Sequence, residues 1–144
     1  MGKEKLNDLT KALMNERFGH DTLLSVATVN SFDGTPRVRI VNAYYEDGAF
    51  YVITHSLSNK MYEIGRNNKV AVCGEWFKAI GIGENIGHPR DEKNAAVMER
   101  IREAFKAWYS NGHTNEDDRG TCILKIALTD AELWHHGTCY EIYF

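Results

Sequence analysis

The sequence predicts a mainly β protein, a small antiparallel barrel with flanking helices. Three observations carry this. Short runs rich in β-branched and aromatic residues recur along the chain, about six in all by strand criteria. Two of the links between them are Asp-Gly turns, Asp33-Gly34 and Asp47-Gly48, the strongest short hairpin signal. Only two long stretches have helical period. Hairpin-linked strands with few helices fit a barrel better than a parallel sheet.

The elements follow in order. Lys3–Arg17 reads as an amphipathic helix, with Leu6, Leu9 and Leu13 on one face and Gly19 beyond its end. Thr22–Asn30 (TLLSVATVN) reads as a strand. The turn at Asp33-Gly34 leads to a strand opened by Pro36, where a missing N–H costs least. In that strand Val38, Ile40 and Asn42 share one side and Arg37, Arg39 and Val41 the other. Ala49–Thr54 is its hairpin partner. KMYEIGR, from Lys60, reads as a short helix with Met61 and Ile64 inward and Ser58 as its N-cap. Lys69–Glu75 is a strand, continued by WFKAIGIGENI, whose Gly81 and Gly83 suggest a bulge or a close backbone approach. Pro89–Tyr109 is the clearest helix, with Val97, Ile101, Ala104, Phe105 and Trp108 in one apolar stripe. The polar loop Ser110–Gly120 precedes a strand at Thr121–Leu128, which Glu132–Trp134 extends or follows. Thr138–Phe144 closes the chain as a short strand or tail.

The totals set the class. The 144 residues suffice for one domain over residues 1–144, and 43% hydrophobic with 26% charged residues is ordinary for a globular protein. A net charge of −3 without a Lys/Arg block argues against a nucleic-acid surface. No apolar run approaches the roughly 20 residues that span a bilayer. The charged, periodic opening is unlike a secretory signal. Cys73, Cys122 and Cys139 are odd in number and form no CxxC, so buried free thiols in a reducing cytoplasm are expected.

Most recognised chemistries find no support. GIGENIG lacks the third glycine of a dinucleotide fingerprint and sits among hairpin strands. His135-His136 point to opposite faces in a regular strand, so they cannot share a metal. G-x-S-x-G and HExxH are absent. Glu116, Asp117 and Asp118 read as a solvated acidic turn, and Trp108 as core.

Arg37–Lys60 stands out. Arg37 and Arg39 lie on one face of a strand whose partner ends at the loop HSLSNK, and an antiparallel pair brings those ends together. Either both arginines are simply solvated, or Arg39 grips an anion with its planar fork while Ser58, Asn59 and Lys60 add donors and charge. Arg, Ser, Asn and Lys with free loop amides are what a phosphate needs.

Three pieces, LLSVATVNSFDGTPRVRIV, AFYVITHSLSNKMYEI and NNKVAVCGEWFKAIGIGE, resemble in order the pyridoxamine 5′-phosphate oxidase-like, FMN-binding split-barrel superfamily. The resemblance implies a six-stranded antiparallel split β-barrel and FMN as cofactor. It implies that Arg39 and Lys60 bind the FMN phosphate, with Ser58 and Asn59 lining it. Asn59 stands where the oxidase has a second basic residue. Ile40, Val41 and Asn42, with Ile53 and Thr54, would lie along the ribityl chain and ring. Lys78 falls at a polar flavin contact of the family, and Trp134 at a C-terminal Trp that covers a ring or closes a barrel end. Homodimers with flavin at the interface are typical.

At the C-terminus Trp134 and Gly137 match the oxidase pattern, but Tyr140, Ile142 and Phe144 replace its basic residues. The expectation is a cytoplasmic FMN flavoprotein, an oxidoreductase acting on a small molecule other than the vitamin phosphate, with neither nucleic-acid nor membrane partners. His55 and His136 are the acid–base candidates. A flavin-binding or stress-associated protein without turnover, and a related barrel using deazaflavin or haem, stay open.

Overall fold

The computed structural model describes residues 2–144. Its elements are β1 (Glu4–Lys5), α1 (Asp8–Phe18), β2 (Thr22–Val29), β3 (Pro36–Glu46), β4 (Ala49–His55), α2 (Asn59–Arg66), β5 (Lys69–Gly74), β6 (Phe77–Asn85), α3 (Ala95–Ala104), β7 (Thr121–His135) and β8 (Thr138–Tyr143). Six strands close into an antiparallel barrel in the order β7-β4-β3-β2-β5-β6 and back to β7. β8 pairs with β7 outside the ring, and β1 adds to β8 in parallel. Closure pairs most strands on both sides.

The barrel is filled by apolar side chains from alternate strand positions. Phe18 from α1 plugs one end against Phe50 and Phe77, with ring centroids 5.5 and 4.6 Å away. A smaller core lies outside β4 and β7, where Met98, Ile101 and Phe105 of the α3 region cover Tyr51 and Ile123. Gly81 makes closure possible. It follows a register shift in the β6–β7 ladder, and a Cβ there would lie 2.5 Å from the Ala127 carbonyl oxygen.

The ring is not zipped throughout. β3 pairs with β4 only through Tyr44↔Tyr51, Tyr45↔Phe50 and Glu46↔Ala49, next to the Asp47-Gly48 turn. Beyond these pairs β3 stays bonded to β2 alone and β4 to β7 alone. A seam opens between Arg39–Asn42 and Val52–His55. Each wall carries backbone groups on one edge that the sheet leaves for water or a ligand.

Several elements differ from expectation for local reasons. The first helix starts at Asp8, not Lys3, because Asn7 and Thr10 form a reciprocal cap and Glu4–Lys5 is drawn into the sheet. Trp76 does not continue a strand. With φ at 54° it turns the chain between β5 and β6. The long helix shortens to Ala95–Ala104 after a 3-10 turn at Glu92–Asn94, and Trp108 follows in turns. β7 runs unbroken through Trp134. Only Cys122 is buried among the three free cysteines. Glu116 is not solvated: Arg102 bonds both its oxygens at 2.9 Å, and the Tyr109 hydroxyl donates to it.

Candidate functional site

β3 alternates in a way that decides where its arginines go. Val38 and Ile40 face outward, each 69% exposed. Arg39 and Val41 face the other way, and Val41 packs on the main core. A guanidinium on that side needs partners, and it has them. Arg39 Nη1 donates to Thr28 Oγ1 at 2.8 Å and to the Val26 carbonyl at 3.3 Å. Arg39 Nη2 donates to Glu63 Oε1 at 3.2 Å. The Thr28 hydroxyl donates to the same oxygen at 2.6 Å. Arg37 Nε stands 3.9 Å from Glu63 Oε2.

Glu63 comes from the inward face of α2, three residues after Lys60, and is 3% exposed. The Thr28 hydrogen bond, then the Arg39 bond and the two arginine charges, hold its carboxyl below the usual range against the opposing effect of burial. Arg39 is therefore clamped by one edge of its fork. Its unused donors are Nε–H and the second Nη2–H. They share the other edge, the side-by-side pair that takes a phosphate or carboxylate. Among the described residues nothing accepts from them.

Two more groups lack partners nearby. Ser58 occupies the N-cap position of α2, but its hydroxyl caps nothing, contrary to expectation. Its Oγ is buried and makes no hydrogen bond among the described residues. Lys60 is half-buried, and burial, then the Arg39 charge, pull its ammonium below its usual value. The loop after β4 and the start of β3 thus meet, as the hairpin argument required. Arg37, Arg39 and Lys60 against Glu63 leave an excess of positive charge at the foot of the seam.

The other expected residues divide. Ile53 and Thr54 line a hollow of about 340 Å³ with His55, His113, Asn115 and Asp118, beside the seam. Asn59 is exposed at the first position of α2. The Asn42 amide donates to Asp21 Oδ1 at 2.9 Å, and Asp21 also takes the Trp108 indole N–H at 2.9 Å, so Asn42 offers the seam only its backbone. Lys78 is not at the seam of its own chain. It pairs with Glu132 at 3.3 Å and lies in the outward row Ile40–Ser25–Cys73–Lys78, three strands from Ile40, roughly 14 Å. Trp134 lies elsewhere too, lining a hollow of about 670 Å³ among Glu4, Glu132 and Glu141. Its carboxylates would repel a phosphate.

The acid–base candidates also change. His55 Nδ1 accepts from the Leu57 N–H at 3.1 Å, which leaves the proton on Nε2, 3.1 Å from Asp118 Oδ2. Both nitrogens are occupied. His136 sits in the β7–β8 turn at φ 48° with its ring against His135, centroids 4.0 Å apart. No group of metal-ligating side chains occurs among the described residues. Thr28 and Glu63 belong to the site without having been singled out, and Asp118, read only as part of a solvated acidic turn, pairs with His55. The signal for Glu63 was its spacing from Lys60, which puts both on one face of a helix.

A family model described as pyridoxamine 5′-phosphate oxidase matches residues 10–135. The chain belongs to that family. Solved structures share its split barrel at low identity. A FAD-binding protein from Mesorhizobium loti superposes with TM-score 0.65 at 14% identity, covering 91% of this chain and 96% of that one. General Stress Protein 26 from Bacillus anthracis gives 0.63 at 16%, over 84% and 90%. A NimC/NimA family protein from Clostridium acetobutylicum gives 0.64 at 18%, over 94% of each chain. No curated protein matches the sequence.

Proposed function

We propose that the chain is a cytoplasmic, homodimeric FMN flavoprotein and an oxidoreductase of small molecules. The observation that carries this is two cationic groups close enough to feel each other at the foot of the seam, the free edge of Arg39 and the Lys60 ammonium, with the unbonded Ser58 hydroxyl two residues before Lys60. A phosphomonoester accepts from both cations at once, and from Ser58 when its side chain rotates to turn the hydroxyl outward. Asn59 and the first-turn amides of α2 lie beside them. The open backbone edges of Arg39–Asn42 and Ile53–Thr54 suit the polar rim of a flat heteroaromatic ring. When bound, FMN would supply a ring that accepts and donates hydride. The chain's own part is to hold the phosphate, orient the ring along the seam and keep water from one face of it.

The outward sheet face supports the dimer. Val38, Ala27, Ala71 and Ile80 form one row across β3, β2, β5 and β6, with Ile40 and Leu23 beside it. Val38, Ile40, Leu23 and Ile80 are each more than half exposed. An apolar patch of this kind on a closed barrel calls for a partner. A second copy of the chain is the occupant, because the face also carries Lys78 and borders the seam. Within a dimer Lys78 and Trp134 would serve the partner's flavin.

The substrate differs from pyridoxamine phosphate on this reading. Tyr140, Ile142 and Phe144 pack on the core, where basic residues would be needed to grip a second phosphate. A second reading, a flavin binder without turnover, is favoured by one observation: His55, the nearest histidine, has both nitrogens occupied. The Mesorhizobium loti protein that shares the fold is a FAD-binding protein, which fits flavin binding.

The test is to purify the protein, record its visible spectrum, identify any released cofactor, and measure the mass of the assembly by sedimentation. A yellow dimer releasing FMN, reduced anaerobically by NADH or NADPH, is expected. A Soret band, or a colourless monomer that ignores added FMN, contradicts the proposal. A flavin that no nicotinamide or substrate screen reduces supports the second reading.

A further inference from the structure

Resting on the phosphate site proposed above, we infer that Glu63 is its positioning residue: it fixes which edge of Arg39 faces the phosphate and sets how strongly the pocket prefers a phosphorylated flavin. A carboxylate beside an anion site is on its face unfavourable, since it cancels charge the ligand needs. Here it faces away from the open side. Both short contacts, from Thr28 and from Arg39, fall on Oε1. Glu63 Oε1 and Thr28 Oγ1 occupy the Nη1–Nη2 edge of the guanidinium, and the Val26 carbonyl also accepts from Nη1. An arginine has many rotamers, and holding one of them before the ligand arrives removes an ordering cost from binding. At 3% exposure the carboxylate is out of reach of a ligand in the seam. It acts on the phosphate only through Arg39 and through its charge.

These two effects have opposite signs and separate by mutation. In Glu63→Gln the amide oxygen can take the place of Oε1, accept from both Thr28 and Arg39, and remove one negative charge. In Glu63→Leu the volume is roughly kept and the charge and both hydrogen bonds go together, so the difference between the two variants isolates the hydrogen bonds.

The readout is the ratio of FMN to riboflavin affinity, measured by fluorescence titration, because the two ligands differ only in the phosphate. Thermal melts run alongside. In Glu63→Gln the ratio is expected to rise roughly three- to tenfold, as one unit of opposing charge leaves a part-buried site. In Glu63→Leu it is expected to fall at least tenfold below wild type, as the clamp on Arg39 is lost. A purely structural residue would shift the melts of both variants and leave both ratios at the wild-type value, which would overturn the inference. A ratio that falls in Glu63→Gln also overturns it, even if Glu63→Leu cannot be folded. A wild type that binds FMN and riboflavin equally would defeat the phosphate assignment itself, and with it the role given to Glu63. Wild-type discrimination with unmoved variants defeats only the role of Glu63.

Discussion

Ser58 and Arg39 pull stability and binding in different directions. A buried hydroxyl without a partner costs on the order of 1–3 kcal/mol. Ser58→Ala removes that cost in the free protein. The expected result is a melting temperature that holds or rises by a few degrees while FMN affinity falls several-fold. A variant that loses stability and keeps its affinity would show the hydroxyl to be structural. Arg39 is the reverse case. Removing it leaves Glu63 buried and uncompensated, and breaking such a pair typically costs about 3–5 kcal/mol. Loss of FMN in an Arg39 variant therefore cannot be separated from loss of fold, whereas Lys60 has no hydrogen-bonded partner among the described residues to abandon.

At the scale of elements, the hairpin β3–β4 is the working unit, and its length sets the site. The Asp47-Gly48 turn, with both residues at positive φ, starts the pairing, and three residue pairs later the strands part. Ring closure elsewhere holds them apart. β6 must bend to meet both β5 and β7, and Gly81 is where it does so. Gly81→Ala would drive a Cβ against the Ala127 carbonyl oxygen, a backbone atom that cannot step aside. Overpacking of this kind costs roughly 1–3 kcal/mol. The melting temperature is expected to fall by several degrees, and one that stays at the wild-type value would show that the bulge relaxes freely.

The strands, both Asp-Gly turns and the meeting of Arg39 with the HSLSNK loop were legible in the sequence, because period, turn chemistry and antiparallel reach are local rules. The seam was not, since it depends on where pairing stops, which no single strand records. Glu63 escaped notice because a charged residue in a short helix reads as solvent-facing until its neighbours are known. Lys78 and Trp134 were placed by resemblance alone, and one chain does not bring them to the seam. Lys3–Arg17 misled for a plain reason: its first turn has helical period, but Asn7 is a stronger start signal than the leucines before it.

Across the whole molecule, carboxylates tie loops and helices to the barrel. Glu63 joins α2 to β3, Glu46 joins the β3–β4 turn to Arg100 of α3, and Glu116 joins the acidic loop to Arg102. Hydrogen bonds from their partners hold all three below the usual carboxylate value of 4.5. A carboxyl with a lowered folded value stabilises fully above its unfolded value and loses that contribution as pH falls through the folded one. Stability is thus expected to be flat from neutrality to about pH 5 and to fall progressively below about pH 4.5. Melting curves across that range check this. A decline beginning near pH 6.5 would point to histidines instead.

The cofactor, the orientation of its ring and the role of Glu63 all rest on the loop after β4 gripping a phosphate. Titration of FMN into wild type and Lys60→Ala, side by side, tests it most directly. The expected result is saturable binding by wild type and affinity at least tenfold weaker in Lys60→Ala, with the two melting temperatures alike, as loss of one charge-assisted contact requires. Equal FMN affinity in the two proteins would contradict it.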